Sequence, residues 1–170
     1  MDRLKGQWRL LSWRRVASNG TVSYPFGEDA AGLLVYTATG DMIVQMTAKN
    51  RPELPTSDPL GGSIEERAAA YSGYLAYFGS YIVHDDNVIH HIEGSSFPNW
   101  SHTEQSRPFE RHGETLVLRT PPAETDGVTV VNEMSWRRHG EPGHGESGQG
   151  EPVGTRHSHS SGADAPSRKE

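Results

Sequence analysis

An antiparallel all-β barrel or sandwich with a single inserted helix is the fold class this sequence predicts, and three observations predict it. Short runs rich in β-branched, aliphatic and aromatic residues recur along the first 138 residues, separated by turn tips such as Asn19-Gly20, Thr39-Gly40, Asp85-Asp86-Asn87 and His112-Gly113. One stretch alone, beginning Ser63-Ile64-Glu65-Glu66, carries helix chemistry. Every Trp, Tyr and Phe lies within residues 1–138, so the core must be built there. Regular strand-and-turn spacing of this kind belongs to meandering antiparallel sheets.

The elements follow in order. Gly6–Val16 reads as a first strand, turned by Ser18-Asn19-Gly20 into Thr21–Tyr24, after which Pro25-Phe26-Gly27 breaks the ladder. Ala31–Thr37 and Asp41–Thr47 form a second hairpin. Residues 48–62, with Pro52, Pro55, Pro59 and Gly61-Gly62, are a connection leading to the helix. The helix is predicted over about 63–76: the Ser63 oxygen serves an early amide, Glu66 reaches back, and Ile64, Ala68, Tyr71, Leu75 and Phe78 recur at spacings of three and four. A lone helix among so many strands is most economically a lid or plug on a barrel end. Phe78–His84 pairs with Val88–Gly94, Thr103–Arg111 with Thr115–Thr120, and Val128–Arg138 is the last strand. Residues 139–170 contain seven Gly, three Pro and four His with three aliphatic side chains, too little apolar surface to offset the entropy of ordering. They are read as a disordered tail, residues 1–138 being the domain. The tail histidines (His139, His144, His157, His159) are irregularly spaced, so no metal site is assigned.

Alternation sorts the strands into faces. A two-residue turn at Asp85-Asp86 pairs Val83 with Val88 and Tyr81 with His90, placing Tyr81, Val83, Val88, His90 and Ile92 inward. A turn at His112-Gly113 pairs Phe109 with Leu116 and sets Thr103, Gln105, Arg107, Phe109, Leu116 and Leu118 on one face. Val128, Val130, Asn132, Met134 and Trp136 share a face of the last strand. A one-residue slip would exchange His90 for His91 and Gln105 for Glu104. Pro108 interrupts the donor row beside Arg107 and argues for a bulge or an edge. The inward lists are apolar except for His90, Gln105, Arg107 and Asn132. A buried Arg needs a carboxylate, water or a ligand, so this polar set is the candidate site, set against the alternative that neighbouring protein groups satisfy each member.

Composition excludes several classes. A formal charge of −6 argues against nucleic acid or an anionic membrane as partner. Zero Cys removes disulfides, thiolate metal sites and thiol nucleophiles. Apolar runs reach only four or five residues, and Met1–Gly6 lacks the apolar segment of a signal peptide, so a soluble, cytoplasmic protein is expected. No phosphate loop, dinucleotide fingerprint or serine-hydrolase elbow occurs, and no cofactor is called for. Adjacent His90 and His91 would point to opposite faces of a strand and cannot chelate one ion.

Gly6-Gln7-Trp8 at the entry to the first strand resembles the Gly-x-Trp signature of lipocalins, where the Trp closes one barrel end and an Arg of the final strand, here Arg137 or Arg138, packs on it. Tyr24-Pro25-Phe26-Gly27, Gly32–Thr37, Tyr74-Leu75-Ala76-Tyr77, His90-His91, Phe97-Pro98-Asn99-Trp100 and Thr103-x-Gln105-x-Arg107 together resemble the bacterial lipocalin-like domain proteins over roughly residues 4–138. The resemblance implies a lipocalin-like antiparallel β-barrel and either a binder or a cyclase or isomerase of natural-product pathways; it carries over no catalytic residue. The binding reading takes a small hydrophobic molecule or biosynthetic intermediate into the barrel, contacted by Tyr81, His90, Asn99, Trp100, Gln105, Arg107 and Asn132. The alternative is cofactor-independent, polyketide-like cyclisation or isomerisation, with His90 moving a proton and Arg107 or Gln105 stabilising an enolate oxygen. Oligomeric state is not legible.

Overall fold

The computed structural model describes residues 3–140. The expected tail falls, from Glu141 on, outside the described residues, whereas His139 ends the last strand opposite Gln7. In chain order the elements are β1 (Gly6–Ala17), β2 (Val22–Ser23), β3 (Ala31–Tyr36), β4 (Asp41–Thr47), α1 (Ile64–Ser72), β5 (Tyr74–His84), β6 (Asn87–Ser95), a 3-10 turn (Pro98–Trp100), β7 (Thr103–His112), β8 (Thr115–Arg119), β9 (Ala123–Thr125) and β10 (Val128–His139). Strands β1-β3-β4-β5-β6-β7-β8-β10 are hydrogen-bonded in that order, and β10 returns to β1. The result is a closed antiparallel barrel of eight strands, with β2 and β9 as short additions. Closure pairs the strand edges that an open sheet would expose.

Two irregularities shape the wall. Leu11 is an extra residue in β1, between the Leu10–Trp136 and Ser12–Ser135 pairs. Glu93 is extra in β6, opposite Phe78 and Gly79. At this second bulge a Cβ on Gly79 would stand 2.0 Å from the His91 carbonyl oxygen, so only glycine lets the two backbones approach.

Four expectations from sequence are corrected. The helix ends at Ser72, not 76: Tyr74, Leu75 and Ala76 pair with Thr47, Met46 and Gln45, so β5 begins four residues before Phe78. The Ser63–Glu66 capping box is present, but the apolar spacing does not mark a packed face, because no α1 residue is buried. The β7–β8 hairpin pairs Phe109 with Leu118, not Leu116, because its tip is Gly113-Glu114, with Gly113 at φ 58°. A two-residue shift keeps every side chain on its expected face. Of the bulge or edge expected at Pro108, the bulge is corrected and the edge is found. Phe109 N donates toward β6, so the nitrogen of Pro108 points toward β8, whose ladder with β7 starts only at Phe109. The β9–β10 hairpin around Asp126-Gly127 was not foreseen.

The interior divides along the barrel axis. At one end Trp8 is fully buried, its Nε1 donating to Leu4 O at 2.8 Å, with the Arg138 and Arg111 guanidinium groups 5.4 and 5.5 Å from its ring centre. Leu34, Met42, Leu116 and Trp136 fill the space beside it. Among the described residues, no helix is long and apolar enough to cross a membrane.

Candidate functional site

The other end is hollow. A cavity of about 310 Å³ opens between the starts of β5 and β10, the end of β4 and the 3-10 turn. Its wall is mostly apolar, with Trp13, Phe26, Met46, Leu75, Trp100 and Met134 prominent, and with Tyr71 and Ser72 contributed by the end of α1. The aromatic residues brace one another. Trp13 meets Phe26 edge-on at 4.7 Å, and Trp100 stands edge-on to both Tyr77 and Phe97 at 5.7 Å. A wider cleft of about 600 Å³ lies outside the barrel between Arg3, Asp86, Glu110 and Arg111. There Arg3 is bonded to Asp86, Arg119 to Glu110, and Arg111 to backbone carbonyls, so its charges already have partners. The smaller cavity is the candidate site.

The register question has an answer. His90 pairs with Gln105 and His91 with Glu104; His90 is fully buried, while His91 lies on the outer face with its Nδ1 3.1 Å from the Glu104 carboxylate. Arg107 is 3% exposed and lines the cavity. Its Nη1 donates to Ser106 O at 2.9 Å and to Gln105 Oε1 at 3.4 Å, Nη2 reaches the same oxygen at 3.5 Å, and Nε has no partner. The guanidinium carbon is 5.9 Å from the Trp100 ring centre. Among the described residues no carboxylate pairs with it.

Behind this arginine runs a chain of hydrogen bonds. Tyr77 Oη is 3.3 Å from His90 Nδ1, and His90 Nε2 is 2.6 Å from Tyr36 Oη. When Tyr77 donates to Nδ1, the imidazole hydrogen sits on Nε2, facing Tyr36. Burial, then the charges of Arg107 and His91, push the His90 pKa from 6.5 down to about 3, so the ring is neutral at ordinary pH. Burial raises the Tyr77 phenol above its usual value, partly offset by Arg107.

The seven residues singled out from sequence separate into four places. Trp100, Arg107 and Asn132 line the cavity, and Asn132 Oδ1 accepts from Trp13 Nε1 at 3.0 Å. Gln105 and His90 stand behind the wall, one holding Arg107 and the other enclosed by Tyr36 and Tyr77. Tyr81 packs on Tyr36 at 4.6 Å and donates to Thr37 O in the filled half, and Asn99 is exposed in the 3-10 turn. Tyr77, Tyr36, Trp13 and Phe26 were not among the seven. Tyr77 fell between the expected helix end at 76 and strand start at 78, and Tyr36 meets His90 only because the sheet closes.

Residues 5–139 match the model of the lipocalin-like domain. A 4'-hydroxy-3'-methoxypropiophenone carrier protein of Aspergillus oryzae is 34% identical over 106 residues, which span 57% of this chain and 96% of that protein. An uncharacterized protein from Bacteroides eggerthii, solved by crystallography, aligns over 80% of this chain and 99% of its own at 14% identity and a TM-score of 0.41.

Proposed function

The chain belongs to the lipocalin-like domain family, and from that premise we propose that it carries one small, largely aromatic molecule in the hollow end of its barrel. The observation that carries this reading is the cavity itself: about 310 Å³ of mostly apolar space with a buried arginine on its wall. That volume is near the lower end of the roughly 300–1,000 Å³ usual for small-molecule sites, which suits a one- or two-ring compound. Trp13, Phe26 and Trp100 supply contact area, Arg107 and Asn132 orient a polar end, and Gln105 positions Arg107. The Aspergillus relative, named as a carrier of an aryl ketone, supports both the mode and the size class.

The alternative, cofactor-independent cyclisation or isomerisation in the same cavity, is favoured by one feature: the Tyr77 hydroxyl bridges the cavity and His90. An imidazole near pKa 3 is a weak base at neutral pH, which weights the balance toward carriage.

The test is a fluorescence titration with N-phenyl-1-naphthylamine. Saturable one-to-one enhancement is expected, reversed by 4'-hydroxy-3'-methoxypropiophenone, with Trp100→Ala weakening the probe by about tenfold. Enhancement that never saturates, or that Trp100→Ala leaves untouched, would remove the cavity from consideration. Conversion of a bound aryl ketone to a new product would move the reading to catalysis.

A further inference from the structure

The charge balance of the cavity says more about its ligand than size does. Among the described residues no Asp or Glu lines it, and Arg107 is buried beside neutral groups: the Ser106 carbonyl, the Gln105 amide oxygen, the Tyr77 phenol and the Trp100 ring. Arginine cannot shed its proton to escape this position, so the charge persists, and a buried cation without a counter-ion is costly. The donors are also unequally used. Nη1 is held by two acceptors, whereas Nη2 has one contact at 3.5 Å and Nε has none. Nε and Nη2 form the side-on edge of the guanidinium, two parallel N–H groups whose spacing matches the two oxygens of a carboxylate.

Resting on the carriage reading above, we propose that the cavity selects molecules bearing an anionic oxygen, a carboxylate or an acidic phenolate, set against the Nε–Nη2 edge of Arg107, with the aromatic body along Trp13, Phe26 and Met134. The ligand then supplies the counter-charge the protein omits. The neutral His90 behind Tyr77 fits this arrangement, since an imidazolium there would add a second unpaired positive charge. Asn132 also fits: it keeps Trp13 in place with an acceptor that carries no charge to compete for Arg107.

Calorimetric titration of two matched pairs tests the proposal, with N-phenyl-1-naphthylamine as the neutral probe of the cavity. The first pair is 4-methoxycinnamate and 4-methoxycinnamamide; the second is 4'-hydroxypropiophenone and 4'-methoxypropiophenone, at a pH where the phenol is ionised. The anion is expected to bind about tenfold or more tightly than its neutral analogue in at least one pair, and the pair that responds distinguishes carboxylate from phenolate. Arg107→Met should erase the preference and, by removing a buried charge without a counter-ion, should not lower the melting temperature, and Arg107→Lys should retain part of the preference. Asn132→Asp preserves the acceptor for Trp13 but places a carboxylate in the cavity, so it should weaken the anion by about tenfold relative to its neutral analogue. Equal binding within both pairs, or a preference that survives Arg107→Met, overturns the charge assignment while carriage stands. Failure of every compound, the neutral probe included, overturns both.

Discussion

Tryptophan and arginine meet at both ends of this barrel, with opposite arrangements. At the filled end the Trp8 ring is inside, while Arg111 and Arg138 lie over it from the rim, where water reaches their charges. At the hollow end the arginine is inside, and Trp100 is the partly exposed partner. The first arrangement buries a large apolar surface and keeps the cations hydrated, so it stabilises the fold. The second buries a charge with no carboxylate beside it among the described residues, which costs stability. On the carriage proposal, one end of the wall serves folding and the other recognition.

Removing the ring at the filled end tests this division most severely. Trp8→Ala deletes a fully buried indole and should cost about 3–5 kcal/mol in a urea titration, with N-phenyl-1-naphthylamine affinity per folded molecule unchanged. A loss below about 1 kcal/mol would deny Trp8 its structural role. Lost probe binding in the folded fraction would mean that the two ends are coupled.

The layer between the ends should make stability depend on pH. The folded pKa of His90 is about 3, against 6.5 in the unfolded chain. Below pH 6.5 the unfolded chain therefore takes up a proton that the folded barrel refuses. The contribution is complete above pH 6.5 and is lost as pH falls toward 3, with a slope approaching about 1.4 kcal/mol per pH unit inside that window. Glu133 is also shifted: burial pushes it up, but hydrogen bonds from Arg14 and Arg119 outweigh that and hold it below its ordinary value. The difference between wild type and His90→Gln, measured from pH 7 to pH 4, isolates the imidazole. A flat difference curve would mean that water reaches His90 in solution.

Legibility followed the range of the interactions involved. Turn chemistry is local, so the tips at Asn19-Gly20 and Asp85-Asp86 gave the hairpins, and alternation from the second tip placed Tyr81 opposite His90 and Val83 opposite Val88. In the β7–β8 hairpin the tip was displaced, yet Arg107, Phe109 and Leu118 kept the predicted face, because alternation does not distinguish a shift of two. Leu75 was misread because it lies four residues from Tyr71, a helical spacing, and only pairing with Met46 reveals the strand. Arg107 and Asn132 were recognisable as polar positions on apolar faces. The Tyr77–His90–Tyr36 chain was not, since it joins β3, β5 and β6 across the barrel and no local pattern encodes that closure.

The smallest effects are expected at α1, and they bear on whether it belongs to either end. Its capping box explains why it forms, but Ile64 is 72% exposed and Tyr71 51%, so tertiary packing adds little to hold it. Ile64→Ser should therefore change stability by less than about 0.5 kcal/mol and leave probe binding unaltered. Tyr71→Ser should be equally mild toward urea but weaken the probe about twofold to threefold, because Tyr71 lines the cavity mouth and Ile64 does not. Two exposed apolar residues on one helix would then differ in binding alone. A stability loss above about 1 kcal/mol for Ile64→Ser would instead mean that the helix packs on the barrel in solution, making α1 part of the folded wall and not the rim of the site.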